Sequence, residues 1–345
     1  MDRKNPQEDI IKLNKVIEEQ SFSNVHLLTG PEDYLRLQFR DNLVKAMGGV
    51  PGSLSYTKFT GKNIDAKEVI NLADTMPFMS DRRVILIEES GWLKNGNSEI
   101  EEYLESGVSP DTCIVFCERE IDKKRKIYTI IKNSGMISEF MNQTEATLNS
   151  WIRTRMNAAG IKMGSTEASY LINLAGTDMS NLAGEIEKLS SYCMMKGRAL
   201  REDIDMVCSR CVENRIFDMC ENIALGRPKR AVEEYQDLIS LKEKPMGILI
   251  RVQRHFEMLL TFKDLDRRKK YSDKELSAIM KRPDWAIVKS IRPQVRCYSA
   301  KDLENILSML TDLQTNIVNG LISEEVVIEL AISQITRLRK GSRVM

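Results

Sequence analysis

Two consecutive carboxylates, Glu88 and Glu89, directly follow an apolar run at residues 84–87. P-loop ATPases use acidic side chains in this position, after a buried strand, to hold Mg²⁺ and to orient water. That chemistry also needs a phosphate-binding loop, and the pattern GxxxxGK(S/T) does not occur in the sequence. The nearest fragment, residues 61–63, lacks the upstream glycine and the hydroxyl. The incomplete set predicts that the acidic pair is a structural vestige or surface charge, not a catalytic site.

The turn after the first predicted strand, residues 25–29, is where a nucleotide-binding protein would place its phosphate loop. Residues 30–34 of this turn read GPEDY, with two carboxylates and no lysine. Carboxylates would repel a phosphate at the point where main-chain N–H groups should attract it. A working ATP site is therefore not expected, and no cofactor is predicted.

Cys208 and Cys211 form a CxxC pair, which can supply two ligands of a zinc site. Cys193 and Cys220 are possible further ligands. The pair falls in a stretch that reads as helical, however, and no second CxxC follows it. These cysteines are therefore predicted to be packed or surface thiols, and no metal is expected.

Met76, Pro77, Phe78 and Met79 place three large apolar side chains around a proline. They lie between a helix predicted at residues 65–76 and the buried run at residues 84–87. Because proline does not continue a helix, Phe78 and Met79 are predicted to lie at a helix end, at the rim of a sheet. Apolar side chains at an exposed rim predict a docking site. The alternative is that they cap the domain core, as most apolar clusters do.

A basic run that includes Lys123, Lys124 and Arg125 opens a predicted helix that extends to Lys132. Such residues could contact the phosphates of a nucleic acid. A charge run at the start of a helix is more often a solvated face, and that interpretation is favoured.

The composition limits the classes of protein to consider. The chain has 345 residues, enough for two or three domains. Lys and Arg number 51 and Asp and Glu 50, a formal net charge of +1, so any nucleic-acid affinity must come from local patches. No window approaches the ~18 apolar residues of a membrane span, and the N-terminal sequence does not read as a signal peptide. With seven scattered cysteines, typical of reduced thiols, a cytoplasmic protein is expected.

The elements that position these residues change type along the chain. Apolar runs predict five strands, at residues 25–29, 55–59, 84–87, 113–117 and 137–140. Because these strands alternate with helices, they predict an α/β domain with a parallel, doubly wound sheet. From residue 147 the strand pattern stops. The later part of the chain is predicted to be all helical, with segments at 148–159, 165–175, a third that opens at 177–178 and runs through 189, and further ones at 215–225, 228–242, 245–264, 272–280, 284–296, 300–319 and 323–338.

Several segments, in their order and spacing, resemble the delta subunit of the bacterial DNA polymerase III clamp loader over essentially the whole chain. One is the stretch from Met76 to Ile87, an apolar tip before a strand. No single motif is as diagnostic as a phosphate loop, but their order taken together is specific. The others are residues 27–35 (LLTGPEDYL), 122–128 (DKKRKIY), 174–178 (LAGTD) leading into 182–189, 216–218 (IFD) and 316–320 (NIVNG).

The resemblance implies three domains. Residues 1–146 would form an AAA+-like α/β domain that has a parallel sheet, lacks a functional P-loop and carries a clamp-binding tip. Residues 147–212 would form an all-α lid. Residues 213–345 would form an all-α collar that joins the subunits of a hetero-oligomeric ring. No catalysis by the chain itself is implied, and it would be a non-catalytic subunit of the DNA polymerase III holoenzyme.

The resemblance also implies a partner for the tip. The family binds and opens the beta sliding clamp, for loading onto primed DNA during replication, with an apolar pair that acts as a wedge. By position, the wedge maps onto Phe78 and Met79, with Met76 and Pro77 beside it. A well-known family member has Leu then Phe at the tip. A flexible Met can adapt to the same pocket. The difference therefore affects the individual side-chain contacts and not the role of the tip.

Further partners follow from the same resemblance. Gamma/tau-type and delta-prime-type clamp-loader subunits would bind through the collar. Primer–template DNA would lie within the assembled ring, with Lys123, Lys124 and Arg125 as candidates to face it. No membrane contact is implied.

Two other classes of function remain open on the sequence. One is an AAA+-type ATPase with a degenerate phosphate loop, which a tight ATP site would reveal. The other is a free-standing helical nucleic-acid-binding protein. The near-neutral charge argues against it, and a steep salt dependence of DNA binding would support it.

Overall fold

A parallel sheet of five strands forms the centre of the N-terminal part of this computed structural model, which describes residues 8–268, 271–280 and 287–339. The strands run in the order β2-β3-β4-β1-β5, and all four pairings are parallel. The predicted α/β architecture followed by a helical region is confirmed. The strands are β1 (Val25–Thr29), β2 (Tyr56–Thr60), β3 (Arg83–Glu88), β4 (Thr112–Glu118) and β5 (Met136–Glu139).

The three central strands are the apolar runs of the sequence. Every residue of β1, β3 and β4 is buried, as expected when helices cover both faces of a parallel sheet. The edge strands β2 and β5 are only partly buried. The burial pattern thus separates a fully enclosed centre from two edges.

By its internal contacts the chain forms two units. The first comprises residues up to 207 without 174–176, and the second comprises residues 174–176 and those from 208 onward. The domain limits at 146 and 212 stay predictions.

The helices up to residue 207 are α1 (Glu8–Glu19), α2 (Asp33–Ala46), α3 (Ala66–Ala73), α4 (Trp92–Asn95), α5 (Ser98–Ser106), α6 (Lys126–Ser134), α7 (Glu145–Ala158), α8 (Ser165–Ala175), α9 (Met179–Cys193) and α10 (Arg201–Val207).

Several of these helices begin where a side chain caps the first turn. Asp65 accepts a hydrogen bond from the N–H of Lys67 at 2.9 Å, and Asp178 accepts one from the N–H of Asn181 at 2.7 Å. Each cap satisfies one main-chain donor that the helix leaves unpaired. Asp65 and Asp178 are therefore the N-caps that define where α3 and α9 begin.

The second unit is helical and encloses its own core. Phe256, Phe262 and Tyr298 are among its fully buried side chains. The helix predicted at 284–296 has a π-helical segment (Ile287–Ile291) before α15, and its residues 284–286 lie outside the described part of the chain. The helices are α11 (Val212–Ala224), α12 (Pro228–Ser240), α13 (Pro245–Arg268), α14 (Asp273–Met280), α15 (Arg292–Arg296), α16 (Ala300–Val318) and α17 (Glu324–Leu338). Of the helices in the described ranges, none is long and apolar enough to cross a membrane.

The helical placement of the CxxC pair is wrong. α10 ends at Val207 and α11 begins at Val212, so Cys208 and Cys211 lie in the connection between them. The N–H of Cys211 donates to the carbonyl oxygen of Leu174 at 3.0 Å, so it does not continue the hydrogen-bond ladder of α10. Within residues 8–268, 271–280 and 287–339, no three His, Cys, Asp or Glu side chains converge as metal ligands.

Candidate docking site

The apolar tip, which we define as Met76, Pro77, Phe78 and Met79, lies in the loop between α3 and β3. The loop enters β3 at its amino end, so the tip lies at the edge formed by the amino ends of the strands. Met76, Phe78 and Met79 are 82%, 59% and 92% exposed, and Pro77 is half-buried. This exposure excludes the interpretation that the three side chains cap the core.

The helix before the tip is shorter than the residues 65–76 that the sequence predicts. α3 ends at Ala73, and Asp74 closes it by donating its N–H to the carbonyl of Ile70 at 3.1 Å. The tip is therefore a loop beyond the helix end and not part of the last helical turn.

Ser55, directly before β2, fixes the main chain of the tip. Its buried Oγ accepts a hydrogen bond from the N–H of Phe78 at 2.9 Å and donates one to the carbonyl oxygen of Phe78 at 3.0 Å. Met79 follows with a φ of +53°, a region that few residues other than glycine adopt. The apolar side chains are thus presented from a main chain with a defined conformation.

Arg83, the first residue of β3, ties this loop to the loop before β2. Its side chain is buried, and three of its nitrogens donate to main-chain carbonyls: Nε to Thr75 at 2.8 Å, Nη2 to Met76 at 3.0 Å and Nη1 to Leu54 at 3.2 Å. A planar guanidinium holds its donors in a fixed fork. The relative positions of the two loops are therefore set by one side chain.

The base of the tip is anchored to the neighbouring elements. Thr112 Oγ1 donates to the carbonyl of Ala73 at 2.7 Å, and the Tyr103 hydroxyl donates to Asp74 Oδ1 at 2.9 Å. Burial, together with the hydrogen bond to Asp74, raises the pKa of Tyr103 well above its ordinary value. Tyr103 therefore stays a neutral donor at physiological pH, and the end of α3 is held in place.

The sequence does not reveal these anchoring residues. Ser55 and Arg83 contact partners 23 and up to 29 residues away. Ser55 reads as part of a strand and Arg83 as a polar flank of the apolar run. One feature of the sequence could have indicated the role of Arg83. It directly precedes four residues of a buried strand, and a charged side chain in such a position needs polar partners.

The opposite edge of the sheet contains the turn where a phosphate loop would lie. Gly30 has a φ of +119°, and a Cβ at this position would overlap the main chain of Phe140. The N–H of Glu32 donates to the carbonyl of Phe140 at 3.1 Å, and the Glu32 carboxylate accepts the N–H of Tyr34 at 3.3 Å. Main-chain donors of this turn are thus engaged by the protein itself.

The acidic pair that follows β3 is neutralised by basic side chains. Glu88 is 7% exposed and forms ion pairs with Arg40 and with Lys58 Nζ, the latter at 2.6 Å. Burial opposes the charge of Glu88, but hydrogen bonds from Lys58 and Arg40 outweigh it and lower its pKa. Glu89 Oε1 lies 3.1 Å from Arg36 Nη1. Both carboxylates therefore have basic partners, and the buried Glu88 has two of them.

The basic run lies at the same edge as the acidic pair, opposite the tip. Lys123 Nζ donates to both carboxylate oxygens of Glu139 at 2.9 Å. Arg125 Nε donates to the carbonyl of Lys94 at 3.0 Å. The side chains of all three basic residues are exposed. Lys123 and Arg125 are thus hydrogen-bonded to neighbouring residues, and the side chain of Lys124, between them in the sequence, is exposed.

Comparisons with known proteins agree with one another. The family model "DNA polymerase III, delta subunit" matches residues 26–140, and the model "DNA polymerase III delta subunit, C-terminal domain" matches residues 213–335. The chain is 20% identical over 275 residues to DNA polymerase III subunit delta of Bacillus subtilis (strain 168), covering 77% of this chain and 79% of the relative. It is 21% identical over 298 residues to the probable DNA polymerase III subunit delta of Aquifex aeolicus (strain VF5), covering 83% of each. The solved structure of the Bacillus subtilis DNA clamp loader delta protein has the same fold, with a TM-score of 0.60 at 20% identity over 95% of this chain and 99% of that one.

Proposed function

The chain belongs to the DNA polymerase III delta subunit family, and we propose that it binds the beta sliding clamp through its apolar tip and opens it. As a member of that family it is a clamp-loader subunit that acts in DNA replication. The exposure of Met76, Phe78 and Met79 on an anchored loop carries the proposal. Exposed apolar patches mark protein interfaces, and an aromatic side chain that fills a pocket is a typical hot spot.

Opening would be a shift of an equilibrium and not a chemical step. A tip that binds the opened or strained clamp interface more tightly than the closed one moves the clamp toward opening. Reversing a closed-to-open ratio of 99:1 would take roughly a 10⁴-fold preference for the open form. ATP on neighbouring clamp-loader subunits would control access to the tip.

The test is clamp binding by the full chain, with wild type beside the double variant Phe78→Ala/Met79→Ala. The variant removes the two side chains that map onto the wedge, and it keeps the hydrogen bonds between Ser55 and the main chain of Phe78. We expect it to bind the clamp at least tenfold more weakly, about 1.4 kcal/mol. Surface plasmon resonance with the immobilised clamp measures the difference.

The matched control is Met194→Ala/Met195→Ala. These residues are 68% and 96% exposed, close to the 59% and 92% of Phe78 and Met79, and they lie directly after α9, in a different loop from the tip. The control should bind as wild type does. Equal binding by wild type and the tip variant would show that the clamp contact lies elsewhere, and a wild type that does not bind would contradict clamp recognition by this chain.

The proposal includes the absence of intrinsic ATPase activity. The support is local: the main chain of Phe140 lies directly against Gly30, and Glu88 is paired with Arg40 and Lys58. Isothermal titration of Mg·ATP into the isolated chain should show no binding up to high micromolar nucleotide, and no phosphate release above the buffer rate. A tight ATP site would instead support the alternative of a degenerate ATPase.

The remaining partners are proposed on the family relationship. Gamma/tau-type and delta-prime-type subunits would bind the C-terminal helical part, which the second family model covers. Primer–template DNA would approach Lys124 and its neighbours Lys123 and Arg125 only within the assembled loader, because single basic residues give weak, salt-sensitive contacts.

A further inference from the structure

We propose that the clamp-docking surface is made of two loops and includes Leu54, with Arg83 and Ser55 as the positioning residues that hold the loops together. The inference rests on the proposed function, because it takes the sliding clamp as the partner of the tip. It adds a contact residue and two positioning residues that the sequence did not indicate.

Leu54 lies beside the tip and is exposed in the same way. It is 72% exposed, comparable with the 59% to 92% of the apolar side chains of the tip. Its carbonyl oxygen and that of Met76 accept hydrogen bonds from the same guanidinium, at 3.2 and 3.0 Å. The next residue, Ser55, bonds both main-chain polar groups of Phe78. Residues 54–55 are therefore linked to the main chain of the tip through the side chains of Ser55 and Arg83.

The apolar character of this surface indicates which kind of partner it can bind. Leu54, Met76, Phe78 and Met79 offer four exposed apolar side chains and no charge of their own. They come from loops at the same edge of the sheet, so a partner that covers the tip also meets Leu54. An apolar cleft fits such a surface, whereas a phosphate backbone does not, because these side chains offer it no cation. We therefore assign Leu54 to the face that the sliding clamp covers.

Arg83 and Ser55 would hold the two loops in a fixed conformation and would not contact the clamp themselves. Both side chains are buried, so neither can touch a partner. A loop that is already in its bound conformation loses less entropy on binding. Weakening these ties should therefore reduce affinity even though every apolar contact residue is still present.

The first experiment measures clamp binding by the full chain for Leu54→Ala, Leu54→Met and Leu321→Ala. Leu321 is the matched control, because it is also 72% exposed but lies beyond α16 in the second unit. We expect Leu54→Ala to weaken binding at least threefold, Leu54→Met to restore most of it, and Leu321→Ala to bind as wild type. Phe78→Ala/Met79→Ala is measured in parallel.

The two proposals fail in different ways in this experiment. If the tip variant loses affinity and Leu54→Ala does not, the two-loop surface is wrong and the tip proposal stands. If neither change affects binding, both are wrong. Circular dichroism and melting curves that match wild type establish that Leu54→Ala is folded, as expected for a substitution at an exposed position.

The second experiment tests the positioning residues with Ser55→Ala and Arg83→Lys. We expect faster amide hydrogen exchange in the tip, unchanged exchange in β4, and at least threefold weaker clamp binding. In the Phe78→Ala/Met79→Ala background, Ser55→Ala should cause no further loss, because the side chains it positions are gone. An equal further loss there, or unchanged affinity of both single variants, would overturn the positioning role.

Discussion

Acidification from pH 7 to pH 4 is expected to lower the free energy of unfolding of the first unit by about 3 kcal/mol through His26 alone. His26 lies in the central strand β1 and is 0% exposed. Burial lowers its pKa to about 4 and outweighs an opposing contribution from the main chain of Ser23. The pKa of His26 in the unfolded chain is 6.5. Between pH 6.5 and pH 4 the unfolded chain therefore binds a proton at His26 that the folded chain does not bind. The free energy of unfolding falls over this range and levels off below it.

The comparison that isolates this effect is wild type against His26→Leu. Neither ring nitrogen of His26 forms a hydrogen bond of normal geometry with any residue described. Leu at this position removes two buried polar atoms that lack a hydrogen bond of normal geometry, so the variant should be about 1 kcal/mol more stable at pH 7. Urea titrations at several pH values, with hydrogen exchange of β1 and β4 peptides as the local readout, measure both. A wild type and a variant with parallel pH profiles would contradict the assignment.

Replacing Arg40 by Met is expected to destabilise the first unit by about 2 kcal/mol. Breaking a buried ion pair by removing one partner typically costs roughly 3–5 kcal/mol, because a buried charge is left uncompensated. Here Glu88 keeps Lys58, whose side chain is 44% exposed, so the loss is smaller. The change in urea midpoint, at unchanged slope, measures the effect.

The double variant Arg40→Met/Glu88→Gln serves as the control for the Arg40 variant. It removes both charges, so it should recover part of the stability that Arg40→Met loses. Neither variant is expected to bind Mg·ATP, because the main chain of Phe140 would still lie directly against Gly30. If the double variant is less stable than Arg40→Met, the ion pair with Glu88 is not what makes Arg40 important.

The sheet was predictable because its central strands carry their own signal. Residues 84–87 and 113–117 are apolar without interruption, and strands buried on both faces need that pattern. The helix start at Asp178 was predictable for a similar local reason, since an aspartate can cap the helix that follows it. The exposed tip could be predicted in part, because a proline among large apolar residues cannot continue a helix.

What could not be predicted depends on residues far apart in the chain. The hydrogen bonds of Arg83 to Leu54 and of Ser55 to Phe78 join different loops, and no local pattern records them. The ion pair of Lys123 with Glu139 changes the environment of the basic run in the same way. The CxxC pair was misplaced because Cys211 bonds to Leu174, a partner 37 residues earlier.

The placement of the tip and the ion pairs at opposite ends of the strands also has an electrostatic consequence. The seven residues of β4 span roughly 20 Å at about 3.3 Å per residue. This exceeds the screening length of about 8 Å at physiological ionic strength. An anion beside Lys124 therefore has little electrostatic effect, through the surrounding solution, on a partner bound at the tip. A stronger influence of one edge on the other would require displacement of the strands and helices between them.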